Sequence, residues 1–134
     1  MVSLLLAVVL GSVTSETVPH KDYAEAYRES VAEHKPLMVV VGAPWCPACN
    51  VLKQSTLEPM AATGELSEVS VAMIDRDVEP ELAQQLTKGD KMLPQIIVFS
   101  RGNDGNWQRR RLTGFQPKQP IRSLIRSAVS LTQG

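Results

Sequence analysis

From Asp22 onward the apolar positions recur with a helical period: Tyr23, Ala26, Tyr27, Ser30 and Val31 share a face. Asp22, with Glu25 three residues on, forms a variant of the capping box, so the spacing predicts a helix from Asp22 to about His34. Lys35-Pro36 is expected to end it, because the residue before a proline avoids the α region. Leu37-Met-Val-Val-Val41 then loses all periodicity. A continuous apolar run rich in β-branched residues predicts a central strand covered on both faces. Gly42-Ala-Pro44 breaks that strand, and Trp45-Cys-Pro-Ala-Cys49 leads into a helix, with Pro47 early enough that its missing N–H costs little. A second short helix is expected over Pro59 to Leu66, and a strand over Val69 to Ile74, closed by Asp75-Arg-Asp77. Glu79-Pro80-Glu81 opens a helix to Leu86 with its acidic residues at the favourable end. Gln95 to Phe99 and Trp107 to Thr113 read as strands joined through a Gly102–Gly105 hairpin loop. Over Pro120 to Leu131, the residues Ile121, Leu124, Ile125, Ala128 and Val129 form an apolar helical stripe.

That order predicts an α/β fold, one mixed central sheet of about four strands with helices on both faces. At 134 residues and 43% hydrophobic the chain can bury one core unaided, and this hydrophobicity excludes a disordered chain. Fourteen basic and fourteen acidic residues cancel, so no global field recruits nucleic acid or anionic lipid. The one local concentration of charge is Arg109-Arg-Arg111, with Arg101 across the hairpin. Alternation puts Trp107, Arg109 and Arg111 on one face of their strand and Arg110 with Leu112 on the other. A charged edge strand that discourages sheet-to-sheet pairing accounts for it, with docking of an acidic partner as the sharper alternative. Nucleic acid is not expected as a partner, since no aromatic platform accompanies the arginines.

The apolar run within residues 1–15 is too short to span the ~30 Å of a bilayer core as a helix. It reads as a signal peptide, with Val13 and Ser15 at the −3 and −1 positions of a cut after Ser15, although no Lys or Arg precedes it. A buried N-terminal strand is the competing account. The expected organisation is a leader over 1–15 and a domain over 16–134, exported to the periplasm or outside the cell without a stable membrane anchor.

Two cysteines are too few for a disulfide scaffold, but they stand three apart, at Cys46 and Cys49. A strand feeding Trp-Cys-x-x-Cys and then a helix puts Cys46 at the helix N-terminus, where unpaired amides favour a thiolate. Cys49, one turn on, is within bonding reach and could resolve a mixed disulfide formed at Cys46. Pro47 and Ala48 add no titrating group and tune the backbone between them. Three other accounts stand beside this one. A zinc site could draw only on His20 and His34, at spacings no common zinc module uses, so no metal is expected. A structural disulfide would close a very small loop, for little gain in chain entropy. A protein-binding module with a spent redox site is the third.

Residues 35–49, Lys-Pro-Leu-Met-Val-Val-Val-Gly-Ala-Pro-Trp-Cys-Pro-Ala-Cys, resemble the active-site strand and motif of thioredoxins, and the likeness extends over about 22–132. Met92-Leu93-Pro94 resembles the family loop that carries a cis-proline beside the dithiol, and Gly114 a family glycine that lets a substrate chain approach. The resemblance implies that Leu93-Pro94 is cis, that Leu93 offers backbone groups to a bound substrate, and that Trp45 flanks the dithiol. Two departures stand out. The buried carboxylate that thioredoxins carry six residues before the first cysteine is Val40 here, and a lysine usual near it corresponds to Val71. Losing both avoids a buried unpaired charge but leaves Cys49 without the usual proton acceptor. Asp75 resembles a common family aspartate at the strand end and is taken as a turn residue. Ser55-Thr-Leu-Glu-Pro59 is closer to exported thioredoxin-like proteins than to cytosolic ones.

The expected function is thiol–disulfide exchange with protein substrates, by a monomer that needs no cofactor and receives electrons from a redox partner protein. Cys46 would attack and Cys49 resolve, beside a groove formed by Trp45, Pro47, Ala48, Leu93, Pro94 and Gly114. The alternatives are a non-enzymatic binding module using the groove beside Pro94, and a metal carrier using the two thiols.

Overall fold

A computed structural model of the chain describes Val18 and residues 20–133; the expected leader lies outside the described residues. The elements run α1 (Tyr23–Glu33), β1 (Leu37–Gly42), α2 (Pro47–Leu52), a π-helical turn (Lys53–Leu57), α3 (Glu58–Ala62), β2 (Ser70–Asp75), α4 (Pro80–Thr87), β3 (Gln95–Arg101), β4 (Trp107–Thr113) and α5 (Lys118–Gln133). The strands form one sheet in the order β2-β1-β3-β4. β1 pairs parallel with β2 and antiparallel with β3, and β3 pairs antiparallel with β4. The expected α/β architecture, a mixed four-stranded sheet with helices on both faces, is the one observed.

The apolar run of β1 is buried along its length because both of its faces are covered. Met38 and Val40 point into a cluster with Leu52, Leu57 and Met60 from the α2–α3 run and Ile121, Leu124 and Ile125 from α5. Leu37, Val39 and Val41 point the other way, onto Ala26 of α1 and Ala83 and Leu86 of α4. The period of two along the strand thus separates two cores.

One boundary falls where expected for a different reason, and two differ from the expectations. α1 stops at His34, which adopts φ 53° and caps Ser30 through its backbone N–H, one residue before the Lys35-Pro36 pair could act. The helix expected over Pro59–Leu66 ends at Ala62 and is joined to α2 without a break. Pro59 has no N–H, and its ring would meet the carbonyl four residues back. The wide turn just before it, in which the Glu58 N–H reaches back to the Lys53 carbonyl, absorbs that conflict. Thr56 and Leu57, the pair singled out in the sequence, are both buried there, and the Thr56 hydroxyl donates to the Gln116 carbonyl at 2.8 Å. β2 runs one residue further than expected, so Asp75 is its last residue.

β4 lies at the sheet edge, and its side chains alternate as the sequence predicts. Arg110 faces Ser127 of α5, at 3.5 Å, while Arg109 and Arg111 reach α4 on the opposite face. Arg109 donates at 2.8 Å to the Leu86 carbonyl, one that the end of a helix leaves open, and Arg111 at 3.4 Å to the Thr87 carbonyl, which the Asp90 amide also reaches at 3.2 Å. Arg111 also pairs with Asp90 at 3.2 Å. Among the described residues no helix is long and apolar enough to cross a membrane.

Candidate active site

β1 delivers the chain to Gly42, and the following turn places Cys46 as the N-cap of α2 with extended backbone (φ −85°, ψ 110°). Pro47 takes the first helical turn, where the donor it lacks would have had no partner. Cys46 and Cys49 are joined in a disulfide with their Cα atoms 5.2 Å apart. The Cys49 amide donates to Cys46 Sγ at 3.1 Å, and Asn50 Nδ2 donates to the Pro44 carbonyl at 3.1 Å, tying the turn to the helix. Pro47 is exposed and Ala48 half-buried on the helix that follows. The two sulfur-bearing residues differ in access: Cys46 is 5% exposed, whereas Cys49 is half-buried.

The Leu93–Pro94 peptide is cis, as the resemblance implied. The register that sets Val41 opposite Gln95 brings Pro94 level with Gly42, beside the disulfide. Two neighbours pin this loop. The Gly114 amide donates to the Pro94 carbonyl at 2.8 Å, and the wholly buried Gln95 amide donates to the carbonyls of Asp90 (3.1 Å) and Met92 (3.0 Å). Gly114 has φ +79°, and a Cβ there would meet nothing within 4 Å. Its backbone conformation, rather than crowding from the chain itself, is what calls for glycine. Leu93 packs its side chain against the α1/α4 core.

Trp45 is 60% exposed, so it is a rim residue rather than a core aromatic. Its indole Nε1 donates to Asp77 Oδ2 at 2.6 Å, and the Arg76 guanidinium lies 5.1 Å from the ring centroid. Arg76 also donates to the Lys91 carbonyl at 3.2 Å, linking the rim to the loop before the cis bond. Sequence reasoning missed Asp77 and Arg76; no local pattern connects residues so far apart.

Behind the disulfide the chemistry is sparse. Val40 is 5% exposed and faces Met73 across the β1–β2 ladder, while Val71 faces Met38, so the site of the missing charges is filled with apolar side chains. Gly42 abuts Cys49: a Cβ on it would lie 3.3 Å from Cys49 Sγ. With no side chain there, a cavity of about 340 Å3 opens against Cys49, and His20, Lys53 and Asp75 also line it. Asp75 does serve the turn, its Oδ1 accepting from the amides of Asp77 (2.8 Å) and Val78 (3.4 Å). It has this second place on the cavity wall as well. Among the described residues no three His, Cys, Asp or Glu side chains gather as a metal site.

A cysteine pair seated where this sheet hands its central strand to a helix, facing a cis-proline loop, puts the molecule in the class of thioredoxin-fold dithiol–disulfide proteins. Comparison with known proteins agrees. Residues 23–128 match the model of a thioredoxin-like domain family, and the chain belongs to that family. It is 28% identical to a thioredoxin of Alicyclobacillus acidocaldarius over 74% of this chain and 87% of that one. It is 35% identical over 81 residues to a protein disulfide-isomerase of Gallus gallus, covering 60% of this chain but only 15% of the isomerase. Among solved structures, a thioredoxin from Thermus thermophilus superposes with a TM-score of 0.68 at 22% identity, over 83% of this chain and 86% of that one. The Cys-x-x-Cys disulfide together with these relatives supports thiol–disulfide oxidoreductase activity.

Proposed function

We propose that the protein is an exported, monomeric thiol–disulfide oxidoreductase that exchanges disulfides with cysteines of other proteins. The observation that carries this reading is the Cys46–Cys49 disulfide at the start of α2, level with the cis Leu93–Pro94 bond. In the reduced protein the amide that donates to Cys46 Sγ stabilises a thiolate, which makes Cys46 the attacking group. Its sulfur bonds to one sulfur of the substrate disulfide and the other leaves as a thiolate. Cys49 then attacks Cys46 Sγ, frees the second substrate thiol and restores the internal disulfide. Trp45, Pro47, Ala48, Leu93, Pro94 and Gly114 form the groove in which the substrate backbone lies. A second dithiol protein returns the electrons, and no bound cofactor takes part. Export rests on the leader read in residues 1–15.

Reduction of insulin disulfides with an excess of a small dithiol tests the chemistry. The wild type should accelerate it, Cys46→Ser should abolish the acceleration, and Cys49→Ser should accumulate mixed disulfides at Cys46. Turnover no faster than the dithiol alone would overturn the assignment. Full function retained by a Cys46→Ser/Cys49→Ser variant would favour a binding module instead.

A further inference from the structure

Arg76 follows the last residue of β2, and three contacts hold it at the rim of the site. Its backbone amide donates to the Gly42 carbonyl at 2.9 Å, which sets it beside the end of β1. Its guanidinium lies 5.1 Å from the centroid of the Trp45 ring and donates through Nη1 to the Lys91 carbonyl at 3.2 Å. One side chain therefore touches both the residue before Cys46 and the loop that reaches the cis Leu93–Pro94 bond. The planar, weakly hydrated guanidinium suits a place against an indole. Only one of its five N–H donors is engaged by the Lys91 carbonyl.

Arg76 also lines an open cavity of about 600 Å3, together with Lys91, Asp77 and Asp90. The charges on its wall are unequally satisfied. Asp77 Oδ2 accepts from the Trp45 indole at 2.6 Å. Asp90 accepts from the Met92 amide at 2.9 Å through Oδ1 and pairs through Oδ2 with Arg111 at 3.2 Å. Among the described residues neither Arg76 nor Lys91 pairs with a carboxylate. Both acids of the cavity are taken, and both bases remain open. A guanidinium whose acceptor is a neutral carbonyl keeps its attraction for an anion, and its planar fork matches a carboxylate.

We propose that Arg76, supported by Lys91, forms a carboxylate-binding subsite that selects protein substrates carrying Asp or Glu beside the cysteine that Cys46 attacks. The proposal rests on the exchange reading above and names the substrate class of that same site. While the substrate cysteine meets Cys46, the neighbouring acidic side chain takes the open donors of Arg76, and Lys91 adds a second positive charge. Trp45 and the Lys91 carbonyl hold the guanidinium in place beforehand, so less side-chain freedom is lost when the carboxylate arrives. The chain as a whole is neutral and exerts no long-range pull, so any selection by charge is local. Charge pairs at an open rim are weak, which makes the preference several-fold rather than absolute.

The test measures kcat/KM of the full chain on short peptides with one internal disulfide, a small dithiol regenerating the protein and its own reaction being subtracted. Glu, Gln or Lys flanks each peptide cysteine, on the N-terminal side in one series and on the C-terminal side in the other. At low salt the Glu peptides of at least one series should react roughly three- to tenfold faster than their Lys counterparts, and added salt should shrink that ratio. Arg76→Gln should lower the ratio by roughly threefold, Lys91→Gln by less, and Arg76→Glu should invert it. Arg76→Lys, which keeps the charge and loses the fork, should retain part of the preference. Ratios between peptides cancel any general loss from a displaced Trp45. No Glu preference in either series, or one that Arg76→Gln leaves intact, would overturn the subsite while exchange at Cys46 stands. A wild type that reduces no peptide faster than the dithiol alone would overturn both readings.

Discussion

The helices on the two faces of the sheet are held by different means. On the α1/α4 side the apolar cluster is supplemented by polar ties from sheet to helix backbone. The Ser70 hydroxyl donates to the Ala26 carbonyl at 2.8 Å, wholly buried, and Arg109 and Arg111 donate to the last carbonyls of α4. On the α2/α3/α5 side the helices are held mainly by burial, around Met38, Leu52, Leu57, Met60, Ile96 and Ile121, each at 0% exposure. The cavity behind Cys49 borders that second core, with Leu57 and Met73 in both. The contrast teaches that one sheet can hold its two helical layers by different kinds of interaction. The side that carries no reactive group is fastened by directional bonds. The side that carries the disulfide relies more on shape; its polar ties include Thr56 to the Gln116 carbonyl and the longer contact of Arg110 with Ser127.

The largest expected effect that tests this contrast is Leu57→Ala. Leu57 is fully buried and lines the cavity, so its loss removes apolar burial and enlarges an existing void. Truncations of this kind cost about 2–5 kcal/mol, read as a lower urea midpoint at an unchanged slope. A stability loss below that of an exposed substitution would mean that the burial-held side is not held by burial.

Arg109→Met should have a smaller effect, about 1–2 kcal/mol, because it keeps the apolar stem and deletes one charge-assisted bond to the Leu86 carbonyl. Burial first, and then the charge of Arg111, press the Arg109 guanidinium below its ordinary value. It stays a donor throughout the accessible pH range, since guanidinium does not lose its proton in proteins. The loosening should be local. Amide exchange near the end of α4, around Thr87 and Lys88, should speed up while amides of β1 keep their protection. A cost as large as that of Leu57→Ala would erase the difference between the two faces.

Much of this was legible in the sequence because it is written in short-range pattern. The Asp22 cap, the apolar run of β1, the stripe Ile121–Leu124–Ile125–Ala128 and the Cys-x-x-Cys spacing each lie within a few turns or one strand. The cis bond came from resemblance alone; neither periodicity nor spacing could supply it. What stayed hidden is long-range or consists of a missing group. Arg109 and Arg111 read as a charged edge because their acceptors are backbone carbonyls of a helix that comes 23 and 24 residues earlier. Trp45 finds Asp77 across 32 residues. The close approach of Cys49 to the end of β1 depends on Gly42 having no side chain, and an absent group leaves no mark in a hydropathy pattern. The π-helical turn was missed because Pro59 was taken as a boundary rather than as a constraint that a continuous helix could absorb.

The smallest expected effect concerns an ion pair on the burial-held side, Arg122 of α5 with Glu65 in the loop after α3. The Arg122 guanidinium first, and the Thr63 hydroxyl second, hold the Glu65 carboxyl below the ordinary carboxylate value. A carboxyl whose value is depressed on folding contributes its stability above the unfolded value and loses it as pH falls through the folded one. The Tm difference between wild type and Glu65→Gln should therefore be present and constant near neutral pH. It should begin to close as pH drops into the usual carboxylate range and vanish at more acidic pH, where both chains carry a neutral group. Because the pair borders solvent, added salt should shrink the difference at neutral pH as well. If the difference instead survived at acidic pH and in high salt, Glu65 would be acting through neutral hydrogen bonds to Thr63 and its neighbours. The α5 side would then be fastened by directional bonds, like the face it contrasts with.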